Sequence, residues 1–407
     1  MASRQLFACG SNFFVAIGHD GKLWGFGGNR YRQLGIGGYK EEYDVIPSPI
    51  EVPVPVRVVS VSCGYFFTAC LDEDGCVWVT GELEETHSAP YTSTCQPVKV
   101  PGFEDIVSIH CGSESLFAID IQGRIWTICG QELIGIPKEQ ECELDQALIE
   151  LRAEVNASNY NYRKHCPTSD SDNSEDGEYE ESDGEFDDWL PSRQSNLPEL
   201  QDIRASSQHC VMLTKSGSVL VCGTSNRGNR LLGLGEQCVA PVPVAIPDLP
   251  KISSISVGYY FSALLTESGE IYTFGANESG QLGLGDLLTR KSPALVSFPA
   301  ANIVQCGYSS LYVVDSSGFL WSCGANDIGQ LGYDTESAQS LFFRQVDGVE
   351  DGIAVAAGGF SMVKTADGRA FTLGEKTSLG SAEPKEVDPE MAQYWTLKPC
   401  RAKSANK

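Results

Sequence analysis

Five histidines, fifteen cysteines and a dense acidic run are the residues of this 407-residue chain whose types could do chemistry. The histidines are His19, His87, His110, His165 and His209. None forms an H-E-x-x-H pair, and no two cysteines form C-x-x-C. The local spacing that would hold zinc is therefore missing. His165 stands beside Cys166 and His209 beside Cys210, each an isolated pair. There is no P-loop and no G-x-S-x-G nucleophile elbow. These absences predict a protein that is not an enzyme and needs no metal or cofactor. An odd cysteine count, and a start (MASRQLFACG) without an apolar leader, predict free thiols in a reducing compartment, the cytoplasm or nucleus.

The acidic run lies between Ser169 and Asp188, which hold eleven acidic residues and no basic one. Few apolar groups and strong self-repulsion predict disorder there. Ser169, Ser174 and Ser182 are followed by acids at close range, as an acid-directed kinase requires. Glu185, Phe186, Asp187, Asp188 and Trp189 mix aromatic and acidic groups and are the candidate partner-binding peptide. Asp172, Ser174, Asp176, Gly177, Glu180 and Asp183 fall at calcium-loop offsets. The last of them is not the glutamate such a loop requires, so calcium is rejected. The whole chain has 29 basic and 54 acidic residues, a net charge of -25. Such a surface repels nucleic-acid phosphate and suits a basic protein partner. No apolar run reaches the ~18 residues of a membrane helix.

The elements that would position these groups are repeats. Seven copies of one pattern occur, among them CGYFFTACLDEDGCVWVTG and CGYSSLYVVDSSGFLWSCG. Each reads as two strands joined by a D/S-G turn, where glycine supplies positive φ cheaply. The turn glycines are Gly21, Gly75, Gly123, Gly217, Gly269, Gly318 and Gly368, at spacings of 54, 48, 94, 52, 49 and 50 residues. The one long spacing marks an insertion in or after the third copy. Three residues past each turn glycine come Trp24, Trp78, Trp126, Leu220, Tyr272, Trp321 and Phe371, a bulky layer for packing between units. Cys9, Cys63, Cys111, Ala205, Val257, Cys306 and Ala357 share another register, where strands crowd an axis and only small side chains fit. Their cysteines are expected to pack rather than react. Units of about 50 residues with a period of two inside them predict an all-β, seven-bladed β-propeller.

Several copies add a second glycine turn: NRYRQLGIG from Asn29, NESGQLGLG from Asn277 and NDIGQLGY from Asn326. With the preceding G-x-[LIV]-[WYF]-x-x-G, this resembles the repeat of the regulator of chromosome condensation (RCC1) family. The resemblance covers residues 1 to about 140 and about 198 to 407. It implies an RCC1-like propeller with blades one to three in 1–140 and blades four to seven in 198–407. The run Gln393–Leu397 is expected to close the ring as the outer strand of blade one. The insertion, 141–197, is expected to be a helix over 141–155, with the stripe Leu144, Leu148, Leu151 and Val155, then the acidic disordered segment 165–190. The resemblance also implies protein partners. The expected function is a monomeric, non-enzymatic interaction scaffold or regulator. The alternative is a guanine-nucleotide exchange factor for a Ran-like small GTPase.

Overall fold

A computed structural model describes residues 5–36, 45–81, 96–100, 102–113, 115–129, 192–194, 197–206, 209–224, 231–237, 239–335, 338–359, 361–374 and 383–386. Every regular element among them is a strand. The strands form seven four-stranded antiparallel sheets, and each sheet takes its strands in chain order. Blade one, for example, is Phe7–Cys9, Phe13–Ile17, Leu23–Gly28 and Val45–Val52. The innermost strands of the other six blades are Val58–Cys63, Ile106–Cys111, Leu200–Ala205, Ile252–Val257, Ala301–Cys306 and Gly352–Ala357. Each touches the inner strand of the next blade, and the last touches the first, so the ring is closed.

The seam between blades seven and one is closed by contact between two complete sheets. Blade one's outer position is filled by Val45–Val52. The run Gln393–Leu397, expected in that position, lies outside the described residues, as do the expected helix 141–155 and the acidic segment 165–190. At the seam the Gly359 amide donates to the Gly10 carbonyl at 3.4 Å, and the Cys9 thiol to the Ala356 carbonyl at 3.5 Å. A Cβ on Gly358 would overlap the Gly10 carbonyl oxygen, so this crossing point requires glycine.

The antiparallel order sorts the loops onto two faces. One face carries the D/S-G turns and the links between blades; it is called lower here. The other, upper face carries the turns from inner to second strands and the connections from third to outer strands. Blade three's third strand ends at Cys129 and its outer strand starts at Ser192, so the chain between them leaves and re-enters on the upper face.

The lower turns are built alike for a physical reason. In blades two, three and six an aspartate ends the second strand: Asp72, Asp120 and Asp315, all buried. One carboxylate oxygen accepts from two amides of the turn, and the other accepts from the indole six residues on. The indole bonds are Trp78 to Asp72 (3.0 Å), Trp126 to Asp120 (3.0 Å) and Trp321 to Asp315 (2.9 Å). Burial alone would raise the Asp120 carboxyl. Bonds from Trp126 and from the Arg124 amide and guanidinium outweigh it and hold the group below the usual carboxylate range. Blades four and five put Thr214 and Thr266 in this place. Their hydroxyls accept from only one turn amide each, and Leu220 and Tyr272 replace the tryptophan. The bulky layer predicted from sequence thus packs between blades, with Trp126 against the cluster joining blades two and three and Trp321 against that joining five and six.

The turn-glycine carbonyl then latches the next blade. Gly21, Gly75, Gly217, Gly269 and Gly318 accept from the amides of Val58, Ile106, Ile252, Ala301 and Gly352 at 2.8–3.1 Å. The N-x-x-x-Q-L-G motif is also architectural. Asn29, Asn277 and Asn326 are buried, and their side-chain oxygens accept from the amides of Leu34, Leu282 and Leu331. The glutamine oxygens accept from Tyr31, Ser279 and Ile328, which finishes each loop.

Candidate functional site: the upper mouth of the channel

Seven inner strands leave an axial cavity of about 130 Å³. Its wall includes Cys9, Cys63, Cys111, Ala205, Val257, Cys306 and Ala357, the small-residue register predicted from sequence. Burial pushes the Cys111 and Cys306 thiols up to about 12, and those of Cys9 and Cys63 are raised as well. They are neutral thiols at physiological pH, unsuited to nucleophilic attack. Among the described residues, no three His, Cys, Asp or Glu side chains could together hold a metal ion.

Of the three described histidines, His19 is exposed, while His209 and His110 are buried against structural partners. His209 bridges blades four and five, with Nδ1 2.8 Å from Ser206 Oγ and Nε2 2.8 Å from Ser262 Oγ. Burial brings it down to about 4, so the Ser206–His209 contact holds an imidazole too weakly basic to activate a hydroxyl at neutral pH. His110 is also held down to about 4 by burial, which outweighs the opposing pull of Asp202. Asp202 Oδ1 stands 3.0 Å from its Nδ1, yet off the hydrogen-bond direction, so this is a contact with a neutral ring rather than an ion pair. His87 and His165 lie outside the described residues.

The upper mouth differs from the rest of the wall. Each turn from inner to second strand begins with the small residue that faces the axis. In blades two, five and six a tyrosine follows two residues later: Tyr65, Tyr259 and Tyr308. The backbone holds these turns in a belt. Ser11 donates to the Tyr65 carbonyl, Tyr65 to Ser113, Tyr259 to Tyr308 and Tyr308 to Gly358, at 2.7–3.3 Å. Tyr65 therefore reaches across the axis to rings from blades three and four positions further round. Its ring centre is 5.8 Å from Tyr308 and 6.1 Å from Tyr259, and those two stack at 4.3 Å with 15° between their planes.

The aromatic surface continues outward on both sides. Tyr260 lies 4.0 Å from Tyr259, Phe66 lies 5.1 Å from Tyr65, and Tyr31 of blade one lies 4.2 Å from Phe66. Six rings thus form one strip over the channel mouth, and Tyr308 is 38% exposed. Burial, and for Tyr65 its hydroxyl contact with Tyr308, raise the phenols of Tyr65 and Tyr308. Both remain neutral hydroxyls at physiological pH. The strip offers aromatic faces and hydroxyls, which is recognition chemistry rather than acid–base chemistry.

The residues singled out from sequence for partner binding, Glu185, Phe186, Asp187, Asp188 and Trp189, lie outside the described residues, as do Ser169, Ser174 and Ser182. The strip itself went unread in the sequence. Its signal is present, since C-G-Y, V-G-Y-Y and C-G-Y-S put tyrosine at one register of three copies. What spacing does not disclose is that blade two faces blades five and six across the axis.

The sequence matches the Regulator of chromosome condensation (RCC1) repeat over residues 20–71 and 268–314, and a second description of that repeat over 252–281. It is 23% identical over 302 residues to the ultraviolet-B receptor UVR8 of Arabidopsis thaliana; the match covers 71% of this chain and 57% of that protein. The chain thus spans little more than half the length of this curated relative. Two solved structures share the fold. Yeast RCC1 (Prp20), crystallised bound to Kap60, superposes with a TM-score of 0.68 at 17% identity, covering 95% of this chain and 81% of that one. Prp20p of Saccharomyces cerevisiae, described with its binding properties to Gsp1p and histones, gives 0.66 at 17% identity, covering 95% and 83%. Matched repeats over residues 20–71 and 252–314 and a closed ring of seven four-stranded blades make this chain an RCC1-like β-propeller carrying RCC1 repeats.

Proposed function

We propose that this propeller is a non-enzymatic scaffold or regulator that docks a protein partner on its upper face. The observation that carries the proposal is the strip of six rings across the channel mouth. Tyrosine-rich centres surrounded by polar loops are where docking energy concentrates. The insertion leaves from the same face, and its Glu185–Trp189 peptide and acidic serines tune the docking. Phosphate on Ser169, Ser174 or Ser182 would deepen the local negative charge.

The second reading is exchange activity toward a Ran-like GTPase. It draws on the fold shared with Prp20p, described with its binding to Gsp1p. Release of fluorescent GDP from a Ran-like GTPase separates the two. The scaffold reading expects release at the spontaneous rate with the propeller added in excess. Catalytic release would replace it with the exchange reading.

A further inference from the structure

The strip is not symmetrical in charge. Two loops from third to outer strands border its tyrosine end, those of blades five and six. The Ala276 amide donates to the Tyr260 carbonyl at 2.8 Å, and the Ala325 amide to that of Ser309, next to Tyr308, at 2.9 Å. Two residues beyond each anchor stands an exposed acid, Glu278 and Asp327. Each directly follows the buried asparagine that staples its loop, so its backbone position is fixed. Asp327 also accepts from Gln330 at 2.7 Å, which leaves its other oxygen facing outward contacts. In blade one the same place is taken by exposed Arg30. The strip therefore runs from a basic end at blade one to an acidic end at blades five and six.

Resting on the docking face above, we infer that its acidic end is an arginine-recognition site, and that the partner presents an arginine-bearing extended segment there. Three features converge on a guanidinium. The stacked Tyr259–Tyr308 pair offers phenol faces, over which a planar cation is attracted by the ring quadrupole. Glu278 and Asp327 supply carboxylates on the rim, which can accept from the guanidinium edge while its face lies on a ring. The chain's net charge of -25 draws a basic segment toward it. Arginine suits this place better than lysine, because a guanidinium stacks and forks whereas an ammonium is a strongly hydrated point charge. Arg30 sets the direction, since its charge disfavours a cation at the opposite end.

The test is titration of the full chain with a fluorescein-labelled Gly-Arg-Gly-Arg-Gly-Arg-Gly peptide and with the same peptide carrying citrulline for arginine. Saturable binding is expected, weakened at least tenfold by citrulline. A Tyr259→Leu/Tyr308→Leu variant should weaken it about tenfold, and Glu278→Gln/Asp327→Asn about threefold. The second pair is exposed and serves where the first shifts the melting temperature. Equal binding of the citrulline peptide overturns the inference, as does unchanged affinity in both variants. Loss of binding on deleting residues 165–190, with the tyrosine variant unaffected, also overturns it, since the acidic run alone would then be the site. Self-association abolished by the tyrosine variant and untouched by the arginine peptide would assign the face to a second copy, and overturns it too. If no arginine peptide binds while the tyrosine variant still loses a captured partner, the docking face stands and the arginine chemistry falls.

Discussion

The two faces of this ring are built from the same seven repeats by opposite rules. On the lower face six of the seven turns solve one problem in one of two ways, with Asp and Trp or with Thr and another bulky residue, and only blade one departs, with Gly18 in that place. On the upper face the residue two past the axial register is Tyr in blades two, five and six, and Ser or Gly in the others. Uniformity below reflects a shared structural duty, the latch to the next blade. Variety above is free of that duty, because the belt there runs through backbone groups that any side chain can carry. Stability is rooted in the lower face, recognition is proposed for the upper one, and substitutions can break that division.

Asp315→Ala should have the largest effect of any single group on stability. It strips the acceptor from the Ser317 and Phe319 amides and the Trp321 indole at a buried site. The expected loss is about 3 kcal/mol in chemical denaturation, with partner capture unchanged where the ring stays folded.

Acid should act next. His110 and His209 titrate near 4 in the folded ring and near the ordinary histidine value when unfolded. Between those values the unfolded chain binds more protons, so stability falls as pH drops from about 6.5 toward 4. Each group contributes on the order of 2 kcal/mol across that window. Melting temperatures from pH 7 to 4.5 check this, and His209→Gln should flatten part of the slope.

Tyr308→Leu should cost under about 1 kcal/mol, as a side chain 38% exposed. It should nonetheless reduce partner capture at least tenfold, reversing the profile of Asp315→Ala. The smallest expected effect is a gain. Thr266→Asp with Tyr272→Trp rebuilds in blade five the clamp of blade six, and should add up to about 1 kcal/mol in thermal unfolding.

The fold was legible in the sequence because its signals are periodic. Turn glycines recur near every fiftieth residue, and Gly21, Gly75, Gly123, Gly217, Gly269, Gly318 and Gly368 all adopt the positive φ such turns require. The axial register came through as well, because crowding at the wall admits only small side chains. The Asp–Trp clamp was half legible. Trp78, Trp126 and Trp321 stood out, but their link to an aspartate six residues earlier needs the turn geometry to be seen. The strip was not legible, because Tyr65 and Tyr308 are 243 residues apart in the chain and meet only when the ring closes. Motif reading drew attention instead to Glu185–Trp189, whose composition is unusual. Tyrosine in a β-rich repeat is ordinary, so nothing in composition set the strip apart.

Quantitative capture of a partner by matched variants tests the division of labour most directly. Tyr65→Ser/Tyr308→Ser alters the upper mouth, and Glu267→Lys alters an exposed lower turn of blade five, with capture compared at a temperature where both variants are fully folded. Capture lost in the first and retained in the second is the expected result. Capture retained in the first and lost in the second would place recognition on the lower face and contradict the assignment made here.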